Sequence, residues 1–162
     1  MIGRVSVWAM VLGLMVSLTN AALAADLAID QPWARATIGQ TPNGVAYLTV
    51  TNNSTAGDRL VAVHTPVAKH ASLHTSIMTD GMMRMEAVSG IDLAVGETVR
   101  FVPGGLHVMM MGLYQPLREG ASIVLTLTFA QAGKIEVLVP VLALASMGPE
   151  RAKESGDIKK MH

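Results

Sequence analysis

The 162-residue chain contains no cysteine. That absence excludes blue-copper centres, thiol–disulfide exchange and cysteine-nucleophile catalysis, each of which needs a thiolate. An excess of charge of one sign is missing as well. Twelve Lys and Arg stand against twelve Asp and Glu, which leaves no electrostatic footprint for nucleic acid or an anionic membrane surface. The apolar run from Val5 to Leu18 holds 14 residues, short of the roughly 20 that span a bilayer. No Gly-x-Ser-x-Gly elbow supports a serine hydrolase, and no sustained 3.6-residue period marks long helices.

The first 24 residues read as an export signal. Arg4 is a basic start, Val5 to Leu18 an apolar stretch, and Ala22-Leu23-Ala24 a small-x-small cleavage site. The expected cut is Ala24|Ala25, with Ala25|Asp26 next. No cysteine stands near it, so a lipid-anchored product is not expected. The remaining residues suffice for one domain with a real core, 25–146. A polar tail, 147–162, follows as a mobile end or a short helix. Met161 and His162 at its end offer at most a weak accessory metal site. The expected location is the periplasm, as a monomer without stable membrane insertion.

Between these ends the chain reads as short strands broken by turn residues. Val45–Thr51, Arg59–His64, Glu97–Val102, Ile123–Phe129 and Ile135–Val141 are rich in β-branched residues and bounded by Asn, Gly, Pro and Asp. Pro140 belongs at an edge or a strand end. The expectation is an all-β fold, a β-sandwich or Greek-key barrel. Trp33 reads as a cover for the core beside the first strand in preference to a dimer contact.

What the chain does hold is methionine in an unusual place. Seven of its twelve methionines fall between Met78 and Met111. His74 and Met85 flank the start of this stretch, and His107 and Met109 stand at its end with His-x-Met spacing. Two imidazoles and two thioethers form a soft, neutral donor set that suits Cu(I) and not Mg²⁺, Ca²⁺ or structural Zn²⁺. Met83, Met110 and Met111 taken singly read as packing, and His64 and His70 as surface residues.

Local geometry favours convergence. Asp80-Gly81 is a two-residue type I′ turn signal, which pairs Thr79 with Met82, Met78 with Met83, Ser76 with Met85 and His74 with Ala87. Directly opposed residues share a face, so His74, Ser76, Met78, Met83 and Met85 project from one side, with His74 and Met85 diagonal neighbours. An extended Leu106–Gly112, ended by Gly112, puts His107, Met109 and Met111 on one face and Val108 and Met110 on the other. If tertiary structure sets the two pieces face to face, together they close a four-coordinate N₂S₂ site; the local pattern leaves that open.

The pattern His-x₁₀-Met-x₂₁-His-x-Met resembles the signature of the periplasmic PCuAC-type copper chaperones. Gln31-Pro-Trp-Ala-Arg-Ala36, Asn43-Gly-Val-Ala-Tyr47, Asp80-Gly-Met-Met-Arg-Met85, Pro103-Gly-Gly-Leu-His-Val-Met109 and Gly112-Leu-Tyr-Gln-Pro-Leu117 extend the resemblance over nearly all of the domain. It implies a cupredoxin-like β-sandwich binding one Cu(I) through His74, Met85, His107 and Met109. It also implies delivery of copper to an acceptor, such as the Cu-A-bearing subunit of cytochrome c oxidase, sometimes with a Sco-type partner. The reading is thus a carrier and not an enzyme. Its rivals are a periplasmic copper buffer or import/export shuttle, with identical ligands, and a metal-free interaction domain with a methionine-rich face.

Overall fold

The computed structural model describes residues 26–149. The expected export signal, residues 1–24, and the tail from Glu150 onward, with Met161 and His162, lie outside the described residues. The regular elements are ten strands: β1 Leu27–Arg35, β2 Asn43–Asn52, β3 Asp58–His64, β4 Ala68–Thr79, β5 Met82–Ala87, β6 Ile91–Leu93, β7 Thr98–Arg100, β8 His107–Leu113, β9 Ser122–Phe129 and β10 Gly133–Leu142. They run in the order β5-β4-β8-β2-β1-β10-β9-β3-β6, with β7 paired to β2 beyond the end of its pairing with β8. Strands distant in sequence are therefore neighbours. The all-β, cupredoxin-like architecture expected from the turn pattern and the resemblance is the one observed.

Two sheets share one core. In β9, Ile123, Leu125, Leu127 and Phe129 point inward while Val124, Thr126 and Thr128 are only partly covered, the two-residue alternation of a strand with one face on the core. Leu48 and Val50 of β2, Val108 and Met110 of β8, and Val139 and Val141 of β10 meet them. A short parallel rung, Ala34 to Val141 and Arg35 to Leu142, joins the sheets where β1 meets β10. Pro140, expected at an edge or strand end, lies two residues inside the end of β10, a strand flanked by β1 and β9. It stands opposite Ser122 in a pair that needs no N–H from it, since the Val141 N–H bonds to the Ala121 carbonyl. The missing N–H there removes little from the ladder.

Trp33 is buried at the core margin, with its ring 4.6 Å from Tyr47 and the Arg35 guanidinium 5.8 Å over it. It gets there through a bulge. Register shifts between Asp30 and Trp33, and Gln31 has φ 47° directly before Pro32. The extra residue brings both Trp33 and Ala34 onto buried positions, which strict alternation forbids.

Two expected boundaries move. The strand expected over Glu97–Val102 shortens to Thr98–Arg100. Glu97 belongs to the preceding turn, where its carboxylate accepts the Ala94 N–H at 2.7 Å and its own N–H bonds to the Ala94 carbonyl. Gly112, expected to end the His-x-Met strand, lies inside β8 at φ 69°, and pairing continues to Leu113 opposite Ala68.

Removal of a core side chain and of a hairpin side chain should therefore differ sharply. Leu125→Ala is expected to lower unfolding stability by about 2–5 kcal/mol, while Met83→Leu, on the exposed β5, changes it by less than about 0.5 kcal/mol. Urea denaturation followed by tryptophan fluorescence checks both, and equal losses would contradict this assignment of the core.

Candidate metal centre

The type I′ hairpin forms as the sequence dictates. Asp80 and Gly81 have φ of 52° and 76°, and the pairs are Thr79 with Met82, Met78 with Met83, Ser76 with Met85 and His74 with Ala87. On its other side β4 pairs with β8, and here long-range structure supplies what local patterns leave open. Ser72 stands opposite Met109, and His74 directly opposite His107. Because opposed residues share a face, the four sequence-predicted side chains project from one side of the three strands β5-β4-β8. Val108 and Met110 turn into the core and are fully buried.

The histidines are set at different depths. His107 is buried at 3% exposure, and His74 is partly buried. Their ring centroids lie 5.9 Å apart with planes inclined by 31°. At about 2.0 Å per metal–nitrogen bond, that separation is of the size one ion between two imidazoles requires. Nδ1 of His107 lies 3.0 Å from the Gly105 carbonyl oxygen. A carbonyl only accepts, so in the neutral ring Nδ1 carries the proton and Nε2 is left with its lone pair. Nε2 of His74 lies 3.0 Å from the Ser72 hydroxyl. The remaining nitrogens, His74 Nδ1 and His107 Nε2, are buried and have no hydrogen-bond partner. Buried polar atoms are normally satisfied, so two unpartnered nitrogens in facing rings are candidate ligand atoms. Arg35 Nε, on β1, is a third unpartnered buried atom, outside this pair.

The thioethers complete the neighbourhood unevenly. Met109 is partly covered beside Ser72, and Met85 is 59% exposed, one rung along from Ala87. On this face of β5, β4 and β8 there is no carboxylate. Arg84 and Glu86 alternate with Met83 and Met85 and so take the reverse side. Among the described residues no three His, Asp, Glu or Cys side chains gather as a metal site. An ion held by the two imidazoles would meet thioethers, the Ser72 and Ser76 hydroxyls and solvent on this face, and no carboxylate. His64 and His70 are exposed, and His70 lies two rungs from His74 on the same face, opposite Met111. Ser72 and the Gly105 carbonyl were not picked out by sequence. Ser72 was legible in principle, as the residue two before His74 on a strand; the carbonyl was not, because it depends on the turn conformation.

Burial, and next the proximity of His107, hold the His74 imidazole below its usual value near 6.5.

Comparison with known proteins assigns the family and the fold. Residues 27–141 match the family model described as LpqE-like, a lipoprotein family by name, and the chain belongs to that family. Structural neighbours place the family with the PCuAC type. Lxx21020 of Leifsonia xyli subsp. xyli, named as a lipoprotein, is 33% identical over 70% of this chain and 68% of its own length. RP573 of Rickettsia prowazekii is 30% identical over 61% of this chain and 57% of its own. Among solved structures, the apo PCuAC domain of PmoF2 superposes with a TM-score of 0.64 at 25% identity, covering 76% of this chain and 95% of that domain. The Cu(I) form of DR1885 from Deinococcus radiodurans gives 0.55 at 29% identity, covering 71% and 76%.

The His74 assignment has a direct check. A folded value below the unfolded one means that folding is favoured above about pH 6.5 and loses that contribution as pH falls through the folded value. NMR titration of the metal-free protein should give His74 a midpoint below 6.5. The urea midpoint of wild type should drop relative to His74→Gln as pH falls from about 7 to 5. A midpoint at or above 6.5 would contradict the burial described.

Proposed function

We propose that this protein is an exported copper carrier that binds one Cu(I) through His74, Met85, His107 and Met109 and passes it to an acceptor protein. The observation that carries the reading is the pair of partnerless buried nitrogens, His74 Nδ1 and His107 Nε2, on a face whose other donors are thioethers. Imidazole and thioether suit Cu(I), and the absence of carboxylate disfavours hard divalent ions. The similarity to DR1885, solved with Cu(I), supports the same metal and oxidation state.

The chain's own groups divide the work. The Gly105 carbonyl fixes the tautomer of His107 by accepting from Nδ1, and the Ser72 hydroxyl, which can donate or accept, orients the His74 ring from Nε2. His107, buried and tied to its own turn, is the fixed anchor. Met85, exposed on an edge strand, is the ligand able to leave first. An acceptor approaching that side takes the ion by stepwise exchange, with no change of charge on the metal. Poor affinity of thioethers for Cu(II) makes the carrier selective for the reduced ion.

The acceptor we favour, from the resemblance to PCuAC-type chaperones, is the Cu-A-bearing subunit of cytochrome c oxidase, with or without a Sco-type protein. Export to the periplasm rests on the Met1–Ala24 signal pattern, and the lipoprotein names of the family and of a relative support export. Loss of oxidase activity on deletion, restored by added copper, supports delivery. Copper sensitivity with intact oxidase would assign the protein to buffering instead.

Anaerobic titration with a competing chromophoric chelator tests the site. One tight equivalent of Cu(I) is expected, abolished in His74→Ala/His107→Ala. Outer-shell groups are worth about 10–100-fold in metal affinity, so Met109→Leu or Met85→Leu should weaken binding by at least that and Ser72→Ala by about tenfold. Affinity should fall as pH drops below about 6.5, because protons compete for imidazole. Four ligand variants that bind as tightly as wild type would end this assignment.

A further inference from the structure

The centre uses Met85 and Met109 and leaves the rest of the methionine crowding unexplained. Met110 is core. Met82 lies on the reverse face of β5 with Arg84 and Glu86. Met78 and Met83 are different: they are directly opposed across the hairpin and project on the same face as the histidines. Their exposures are 67% and 60%, an unfavourable position for two apolar side chains that pack against nothing in the core.

Hairpin geometry sets their spacing. A two-residue turn closes on a hydrogen-bonded pair, here Thr79 with Met82, so the next pair, Met78 with Met83, is of the non-hydrogen-bonded kind. The Val88 N–H to Leu73 carbonyl bond agrees with this phase, since the even-numbered residues of β5 then bond to β4. Non-hydrogen-bonded pairs bring Cα atoms to about 4.5 Å and their side chains closest. The next rung on this face, Ser76 with Met85, lies about 7 Å along the strands, and the following one holds His74 beside His107. Thioethers thus run in rungs from the hairpin tip to the imidazole pair.

We propose that Met78 and Met83 form a second site for a soft monovalent cation, Cu(I) or Ag(I), which loads the histidine centre through Met85. The site is weaker than the centre, because it offers two exposed thioethers and no imidazole. In the loading step the Met85 sulfur bonds to the ion as a Met78 or Met83 sulfur releases it. The ion keeps its single charge, and neither electron nor proton moves. The loading step rests on the Cu(I) reading of the centre; the tip site stands without it.

Silver titration of the purified protein in chloride-free buffer, followed by methionine methyl ¹³C NMR, separates the two. The Met85 and Met109 methyls should shift with the first equivalent. Those of Met78 and Met83 should shift with a second, weaker one, while the core Met110 stays still. Met78→Leu/Met83→Leu should abolish the second step, keep the affinity of the first, and slow Cu(I) uptake from a chelator severalfold. Unmoved Met78 and Met83 methyls, or a second step that persists in the double variant, would overturn the tip site. An unchanged uptake rate would overturn its loading role. Loss of the first step alone would instead remove the copper reading of the histidines and leave the tip site standing.

Discussion

The direct opposition of His74 and His107 across β4 and β8 is the constraint from which the rest of the site follows. Side-chain direction in a strand has a period of two, so a slip of one residue in that pairing would bury one imidazole in the core and strand the other outside. The same pairing sets Ser72 opposite Met109, and the hairpin sets Ser76 opposite Met85. β4 is therefore the ruler against which both other strands are measured. Core packing holds it in register: Leu73 of β4 faces Val108 of β8, and both are buried. Moving the histidines would move those apolar groups into water.

Depth grades the site from fixed to yielding. His107 is buried and held by the turn carbonyl of Gly105, His74 is partly covered and held by Ser72, and Met109 lies beside them. Met85 is exposed on the terminal strand of the sheet order. A carrier needs both ends of this gradient. Rigid, oriented imidazoles preserve affinity when the protein travels alone, while a thioether at an accessible edge can be exchanged without unfolding anything. A site enclosed on all sides would bind more slowly and release only through local opening.

Much of this was legible in the chain because it is local. Asp80-Gly81 permits positive φ at both positions and so fixes the hairpin register; alternation in His107–Met111 fixes which side chains turn inward. The strands over Val45–Thr51, Arg59–His64, Ile123–Phe129 and Ile135–Val141 are found within larger ones for the same reason. The rest depends on distant partners. Neither the three-residue β6 nor β1, whose alternation is broken by the Gln31 bulge, has a strand pattern of its own. The opposition of His74 and His107 joins segments over thirty residues apart, and no local propensity encodes it. Glu97 looks like a strand residue until its carboxylate is seen capping the turn before it.

On the proposed role as a Cu(I) carrier in an oxidising compartment, the lack of cysteine and the wealth of exposed methionine have one physical explanation. A thiolate would bind Cu(I) more firmly, but in an oxidising compartment thiols are driven towards disulfides. Thioethers cannot form disulfides, stay neutral at every pH, and accept soft ions with moderate strength. Their usual place is the core, where Met110 sits. Exposing Met78, Met83 and Met85 on one side of a hairpin forgoes the hydrophobic stabilisation that burial would give, about 1.5–3 kcal/mol for each fully buried side chain. A fold that needed only a stable hairpin would carry polar or β-branched residues there. The thermodynamic penalty is explained if these sulfurs are partnered by something outside the protein, and a soft cation, as in the proposed function, is the partner that thioethers beside imidazoles suit best.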